Sequence, residues 1–274
     1  MADDLIDNAE SEEEIMAWNL KLIKYLDFFY NGGNPCRLDV DWAKVNKFID
    51  LEFPASARSA LKLLPTHILP GRPFYVLIEG FRMDAQFNIA KKDNSVQFPI
   101  NEESDLWKYS HCVAGTIGEL CNALIVYHCR YSPPESLRPQ LSITAMSMGI
   151  ALQFVNIARD ISTDAKMGRV YLPTSWLHAE GLTPEDVILH PDGENVQRFR
   201  RKILDMAFTV YQEVRPSMKH LPREARGPMI LVVESYMEIG RVLRESYNWT
   251  LELGQATVPT HRRVTMAIKT LVVA

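Results

Sequence analysis

The sequence has no excess of positive charge and no strongly basic stretch: 30 Lys and Arg stand against 34 Asp and Glu, for a formal charge of -4. No segment interleaves cations with aromatic residues, so a nucleic-acid partner has no electrostatic footprint here. Cysteine is scarce. Cys36, Cys112, Cys121 and Cys129 form no Cys-x-x-Cys pair, and His111 and His128 complete no common zinc spacing. Reduced, buried thiols are expected instead of a disulfide framework or a zinc site, which places the chain in a reducing, intracellular compartment. Internal repeats, low-complexity tracts and long Gly/Ser linkers are also lacking, so residues 1–274 are read as a single domain. The start carries Asp3, Asp4 and Asp7 where targeting peptides avoid acids. The longest uncharged run, Leu141 to Ala158, approaches a membrane span in length. Ser142, Thr144, Ser147, Gln153 and Asn156 interrupt it, however, and predict a helix buried in protein.

What the sequence does have is helical periodicity. Ile15, Trp18, Leu22, Tyr25, Leu26 and Phe29 recur at helical spacing, and Asn31-Gly32-Gly33 ends the run. Phe74 to Ala90, Ser104 to Tyr131, Pro134 to Asp164, Val196 to His220 and Arg223 to Leu253 behave alike, each punctuated by Pro, Gly or Asn. Alternating strand patterns are scarce. The fold class is therefore all-α, with long helices around a core.

Two acidic pairs have Asp-x-x-x-Asp spacing: Asp3 with Asp7, and Asp160 with Asp164. On a helix this sets both carboxylates on one face, one turn apart. The first pair also suits a solvated helix start. The second terminates the uncharged helix, where like charges near a buried surface need compensation, and a divalent cation would supply it. Asn156 lies one turn before Asp160 and Gln153 extends the stripe, so two readings stand: a metal–diphosphate site or a structural polar seam. Arg159, Lys166 and Arg169 provide nearby cations that could close over a diphosphate, or could simply decorate a helix C-terminus. Arg82 and Asp84 form a further charged pair within an apolar helix.

Taken in order, Asp-Asp-Leu-Ile-Asp at 3–7, Glu-Gly-Phe-Arg-Met-Asp at 79–84, Tyr109 through Gly118, Gln153 through Asp164, and Gly168 through Pro173 resemble the phytoene/squalene synthase family. The wording around Asn-Ile-Ala-Arg-Asp is similar to the phytoene synthase portion of fungal bifunctional lycopene cyclase/phytoene synthases. The resemblance implies an isoprenoid-synthase helical fold in which two Asp-rich helices face each other across a central apolar cavity. It assigns Mg²⁺, with Mn²⁺ as a substitute, to Asp3, Asp7, Asn156, Asp160 and Asp164. Asp3, Asp7, Asp160, Asp164, Tyr109 and Tyr171 become catalytic candidates. Arg82, Gln153, Arg159, Arg169 and Tyr236 become substrate-binding candidates, Tyr236 on the short Tyr-Met-Glu-Ile match alone.

The implied reaction joins two geranylgeranyl diphosphates through a cyclopropylcarbinyl diphosphate to phytoene, in carotenoid biosynthesis, with no NADPH expected. Squalene or dehydrosqualene synthesis from farnesyl diphosphate is the alternative within the family, and a helical domain that keeps the fold without turnover is the alternative outside it. Ala114, Gly115, Gly118 and Met146 to Ala151 are small or flexible enough to line a tail tunnel or to pack helices closely. The family's helix before the first Asp motif is missing here, so the chain is expected to be N-terminally truncated. Expected partners are prenyl diphosphates, a membrane surface touched peripherally from the cytoplasmic side, and a tethered lycopene cyclase domain absent from this chain.

Overall fold

A computed structural model describes residues 11–31, 39–92, 98–245 and 258–273. Within them the chain is helical and contains no β-strand. It divides into two compact units, Met1–Val96 and Gln97–Ala274. Asp3, Asp7 and Cys36 lie outside the described residues.

The first unit holds α1 (Glu12–Asp27), α2 (Trp42–Glu52), α3 (Ala55–Lys62) and α4 (Arg72–Lys92). Ser11 starts α1 by accepting the Glu14 amide at 3.2 Å, which satisfies one of the orphan donors at the helix start. The periodic face read from the sequence is the buried one: Ile15, Leu22, Tyr25, Leu26 and Phe29 are all within the core. The Tyr25 hydroxyl donates to the Leu61 carbonyl at 2.7 Å, so the ring is buried while its polar end is matched. Burial, with Tyr30 nearby, pushes that phenol well above its ordinary pKa.

The second unit is built on α7 (Arg138–Lys166), 29 residues and so about 44 Å long. Ahead of it come α5 (Glu103–Ser110), a π-helical segment (His111–Gly115) and α6 (Thr116–His128), which run continuously. The π segment and α6 pack antiparallel on α7 through glycine. A β-carbon on Gly118 would meet the Ala145 carbonyl oxygen at 2.1 Å, and one on Gly149 would meet that of Ala114 at 2.2 Å. Only a hydrogen fits at those two crossings. The π register accompanies this close approach, as such segments often do at functional sites.

After α7 follow α8 (Thr174–Ala179), α9 (Pro184–Leu189), α10 (Glu194–Val214), α11 (Arg223–Glu245) and α12 (Thr260–Val273). A 3₁₀ turn (Arg215–His220) links α10 to α11. α10, α6 and α11 all pack on α7. Buried Arg200 of α10 donates its Nε to the Ala158 carbonyl at 2.9 Å, fixing α10 against the polar end of α7. Burial pulls its pKa down, opposed by Asp192.

By length and composition α7, with its short 3₁₀ lead-in, is apolar enough to cross a membrane, and half of its most apolar window is buried inside the protein. Leu141, Phe154, Val155 and Ile161 are among the core residues it supplies.

Candidate active site

An apolar cavity of about 400 Å³ lies within the second unit, walled by the π segment and α6 on one side, α7 beneath, and α11 with the 3₁₀ turn on the other. Such a volume is within the roughly 300–1,000 Å³ typical of small-molecule sites. The lining is almost wholly hydrocarbon. It extends along α7 from Leu141 to Asn156, a separation of about 22 Å along the helix. Ala114, Gly118, Met148 and Gly149 line it as expected for tunnel residues, and Gly118 and Gly149 also make the closest helix contacts. Both uses of small residues coexist.

Asn122, Thr144 and Ser217 are scattered along the lining, and a cluster of polar side chains marks one end. Gln153, Asn156 and Tyr236 line that end of the cavity. Asn156 Nδ2 donates to Gln153 Oε1 at 3.3 Å, which orients the Asn156 carbonyl oxygen elsewhere. That oxygen is buried and has no hydrogen-bond partner among the described residues. A buried acceptor left this way costs roughly 1–3 kcal/mol unless something occupies it.

One turn along, Arg159 and Asp160 form a bidentate pair. Nε lies 2.7 Å from Oδ1 and Nη2 lies 2.5 Å from Oδ2, with both side chains about one quarter exposed. The Asp160 hydrogen bonds raise the guanidinium pKa further, and the Tyr236 hydroxyl adds to the effect. Tyr236, the weakest of the sequence assignments, is therefore beside Arg159 as well as at the cavity end.

Asp164, one turn after Asp160, ends the stripe where α7 stops. Gly168 adopts φ +74°, the Gly168 amide donates to the Ala165 carbonyl, and the Arg169 amide donates to the Asp164 carbonyl, both at 2.9 Å. This is a Schellman turn, which a glycine at that position makes without strain. It folds the chain back so that Asp164, Arg169 and Tyr171 line one small recess. The Tyr171 ring packs on Tyr109 at 4.9 Å between centroids, and both rings are buried. Gln153, Asn156, Arg159, Asp160, Asp164, Arg169, Tyr109, Tyr171 and Tyr236 all belong to the second unit. Arg82 belongs to the first, where its exposed guanidinium Nη1 lies 3.3 Å from both carboxylate oxygens of Glu79.

Among the described residues no three of His, Cys, Asp and Glu converge on one point. The second unit alone therefore offers a stripe, not a cage. Its donors are nonetheless all oxygen: one unmatched amide carbonyl and two carboxylates at successive turns. That set fits a hard divalent cation whose remaining positions are filled by water and phosphate oxygens.

Two expectations need revision. Cys112 is buried and Cys129 partly buried, but Cys121 is exposed and faces the cavity. Periodicity puts Cys121 on an apolar face, and an apolar face can border a cavity as readily as a core. The cavity wall supplied by Met229, Val232 and Val233 was also not anticipated, although with Tyr236, which was, they make an i, i+3, i+4, i+7 spacing available in the sequence.

A different face of α11 carries another feature not anticipated. Glu234 accepts from Tyr211, Arg215 and Arg241 at 2.6–2.9 Å, and Glu238 accepts from Arg241 and Arg262 at 2.9 and 2.5 Å. Burial works to raise the Glu234 pKa, but these bonds outweigh it and hold the carboxyl below its ordinary value.

Comparison with known proteins gives a consistent picture. The squalene/phytoene synthase family profile matches residues 1–265. A bifunctional lycopene cyclase/phytoene synthase from Podospora anserina is 51% identical over 272 residues, covering 99% of this chain and 45% of its own length. The protein of the same name from Neurospora crassa is 48% identical over 278 residues, covering 99% and 46%. The chain thus spans under half the length of these relatives. Among solved structures, a dehydrosqualene synthase with bound ligand superposes with TM-score 0.64 at 19% identity, over 99% of this chain and 82% of that one. A squalene synthase from Alicyclobacillus acidocaldarius superposes with TM-score 0.59 at 21% identity, over 89% and 78%. At such identities the superpositions establish the fold, an all-α isoprenoid-synthase fold.

Proposed function

Because the chain belongs to the squalene/phytoene synthase family, we propose that it is the prenyltransferase portion of a phytoene-forming enzyme, joining two geranylgeranyl diphosphates head to head. The observation that carries this reading is the hydrocarbon cavity ending on Gln153, Asn156 and Tyr236, directly beside the Arg159–Asp160 pair. A long apolar tail and a diphosphate have opposite solvation needs, and this arrangement meets both within one helix length. A twenty-carbon tail has a gross transfer free energy of roughly 15 kcal/mol at about 0.8 kcal/mol per methylene, before the losses of binding.

Each residue has a task in this reading. Asn156, Asp160 and Asp164 would hold Mg²⁺ or Mn²⁺, with Asp3 and Asp7 assigned the other acidic pair on the family motif. The bound cations would neutralise charge developing on the diphosphate as it leaves. Arg159, oriented by Asp160 and Tyr236, would donate to diphosphate oxygens, and Arg169 would approach the same group from the turn after α7. Gln153 accepts from the Asn156 amide nitrogen and would thereby leave the carbonyl oxygen for the ligand. The Tyr109 and Tyr171 rings would face cationic carbon with their negative π surfaces. The apolar walls exclude water that would otherwise capture the cation. Arg82 is assigned to substrate binding by its motif. The reading treats residues 1–274 as one catalytic domain, supported by a family profile that runs through both units. The relatives' second named activity is a property of those proteins; a lycopene cyclase domain as a tethered neighbour is part of the proposal.

The test is incubation with geranylgeranyl diphosphate and Mg²⁺ in detergent without NADPH, followed by chromatography of the hydrocarbon product. Phytoene is expected. Squalene from farnesyl diphosphate with NADPH, and no C40 product, would overturn the substrate assignment.

A further inference from the structure

α11 stands between two cavities of opposite character. Val233 and Tyr236 line the hydrocarbon cavity, whereas Glu234, Glu238 and Arg241 line a second one, of about 790 Å³, formed with the 3₁₀ turn and α12. Met218 of the turn lines both, so the two lie back to back. None of the residues lining the second cavity belongs to α7, so it is a place distinct from the stripe that runs from Gln153 to Asp164.

The second cavity is cationic, in a chain that is acidic overall. Arg215, Lys219, Arg226, Arg241, Arg262 and Lys269 line it against two carboxylates, Glu234 and Glu238. Those carboxylates hold Arg215, Arg241 and Arg262, and Arg262 also pairs with the exposed Glu245. Lys219, Arg226 and Lys269 line the same space with no carboxylate partner among the described residues. They come from the 3₁₀ turn, α11 and α12, so the tertiary fold brings them together. Arg226 is only half satisfied: its Nη2 donates to the Leu221 carbonyl at 3.0 Å, but its Nε is buried with no acceptor among the described residues. A buried donor left this way is costly unless an acceptor arrives. Like charges around one concavity also repel, and its walls concentrate their field on whatever enters.

We propose that this cavity is a binding site for a diphosphate group, separate from the metal-assisted one at the end of α7. A single phosphate carries about 1.5–2 negative charges, too few for the three surplus cations. Two linked phosphates bring more charge and enough acceptor oxygens to engage Lys219, Arg226 and Lys269 together. Ile230 and Met266 stand among the cations, so a short hydrocarbon ester of diphosphate fits the same lining. The physical basis of the site is independent of the reaction assigned above, which supplies only a source of the ligand: each condensation releases diphosphate.

The test is calorimetric titration of the chain with inorganic diphosphate in EDTA, which leaves the α7 stripe without a divalent cation. Binding without metal is expected, at least about ten-fold tighter than that of inorganic phosphate and weakened by salt. Lys219→Ala with Lys269→Ala, both exposed, should weaken it by at least about ten-fold, and Lys219→Arg with Lys269→Arg should retain it. Lys47→Ala with Arg263→Ala removes the same charge from exposed positions outside the cavity and should change binding by less than about two-fold. Melting of every variant confirms that it is folded. Dimethylallyl diphosphate in the same titration identifies the source of the group. Affinity equal to that of inorganic diphosphate assigns the site to the free ion, and higher affinity, lost in the alanine pair, assigns it to a prenyl ester; both support the site. No metal-free binding, binding no tighter than that of phosphate, or a control that loses as much as the alanine pair would each overturn the proposal. Phytoene formation in detergent is a separate measurement. Its absence in wild type sinks the functional assignment and leaves the diphosphate site standing, whereas turnover without metal-free diphosphate binding sinks the site alone.

Discussion

The second unit contains two ionic assemblies close in sequence character and opposite in completeness. On one face of α11, Glu234 and Glu238 receive hydrogen bonds from Tyr211, Arg215, Arg241 and Arg262, so that carboxylate and cation are matched on every side. At the end of α7, Asp160 is held by Arg159 in a bidentate pair, Asp164 follows one turn later, and the neighbouring Asn156 oxygen is buried with no hydrogen-bond partner among the described residues. The first assembly also borders a cavity, of about 790 Å³, but its two carboxylates are already matched by cations of the chain. The second is stable only to the extent that Arg159 substitutes for charge that a substrate or cation would bring. A matched network contributes to the fold, whereas the unmatched Asn156 oxygen beside a cavity is a candidate for binding something.

The largest effect should come from breaking the unsaturated side. Asp160→Ala removes one carboxylate from the stripe and frees Arg159, and phytoene formation should fall by about 10²- to 10³-fold. The melting midpoint should fall modestly, because partly buried Arg159 loses its bidentate partner. The informative measurement is the midpoint with Mg²⁺ and a diphosphate analogue: wild type should shift upward, and the variant should not. A variant that retains turnover within a few fold would equate the two assemblies.

The opposite pattern is expected of the saturated side. Glu234→Gln keeps the shape of the side chain but strands Arg215 and Arg241, and should destabilise the chain by roughly 2–3 kcal/mol with turnover below the melting temperature nearly intact. Its pH dependence has a definite sign. The folded-state pKa of Glu234 is depressed, so the unfolded chain binds the proton more readily and stability falls with acid. The contribution is fully present above the ordinary glutamate value of about 4.3 and is lost as pH drops through the lower folded value. Acid denaturation of wild type and Glu234→Gln should therefore converge below that window. Parallel curves throughout would show that Glu234 titrates normally.

The sequence made one of these assemblies visible and not the other, for a physical reason. Asp160 and Asp164 share a stripe with Asn156 and Gln153 on a long uncharged helix, so a polar stripe stands out against its background. Glu234, Glu238 and Arg241 stand on an ordinary amphipathic helix, and their partners Tyr211, Arg215 and Arg262 come from other elements. Nothing local announces a network closed by tertiary contact. The same distinction governs the fold. Long periodic runs such as 134–164 and 196–220 correspond to α7 and α10 with its 3₁₀ extension, shifted by a few residues at their ends. The short helices α2 and α3, separated at Pro54, and α8 and α9 were not read, because six to eleven residues carry too few turns to establish a period. Cys121 shows the limit for sites: periodicity identifies an apolar face without saying whether protein or an open cavity lies against it.

The smallest effect is the sharpest separation of the two assemblies. Asn156→Leu replaces a buried, unmatched carbonyl with hydrocarbon at the edge of a hydrocarbon cavity, where there is room for the added volume. If the oxygen is kept for a ligand, its removal should stabilise the free chain by about 1 kcal/mol, or about 2–4 °C in the melting midpoint. The same change should abolish the upward shift caused by Mg²⁺ with a diphosphate analogue. Stability and binding would then move in opposite directions at one atom, as expected where a fold tolerates an unmatched group for the sake of function. A loss of stability on substitution would mean instead that the oxygen is matched within the folded chain, and the α7 stripe would join the α11 network as a structural feature.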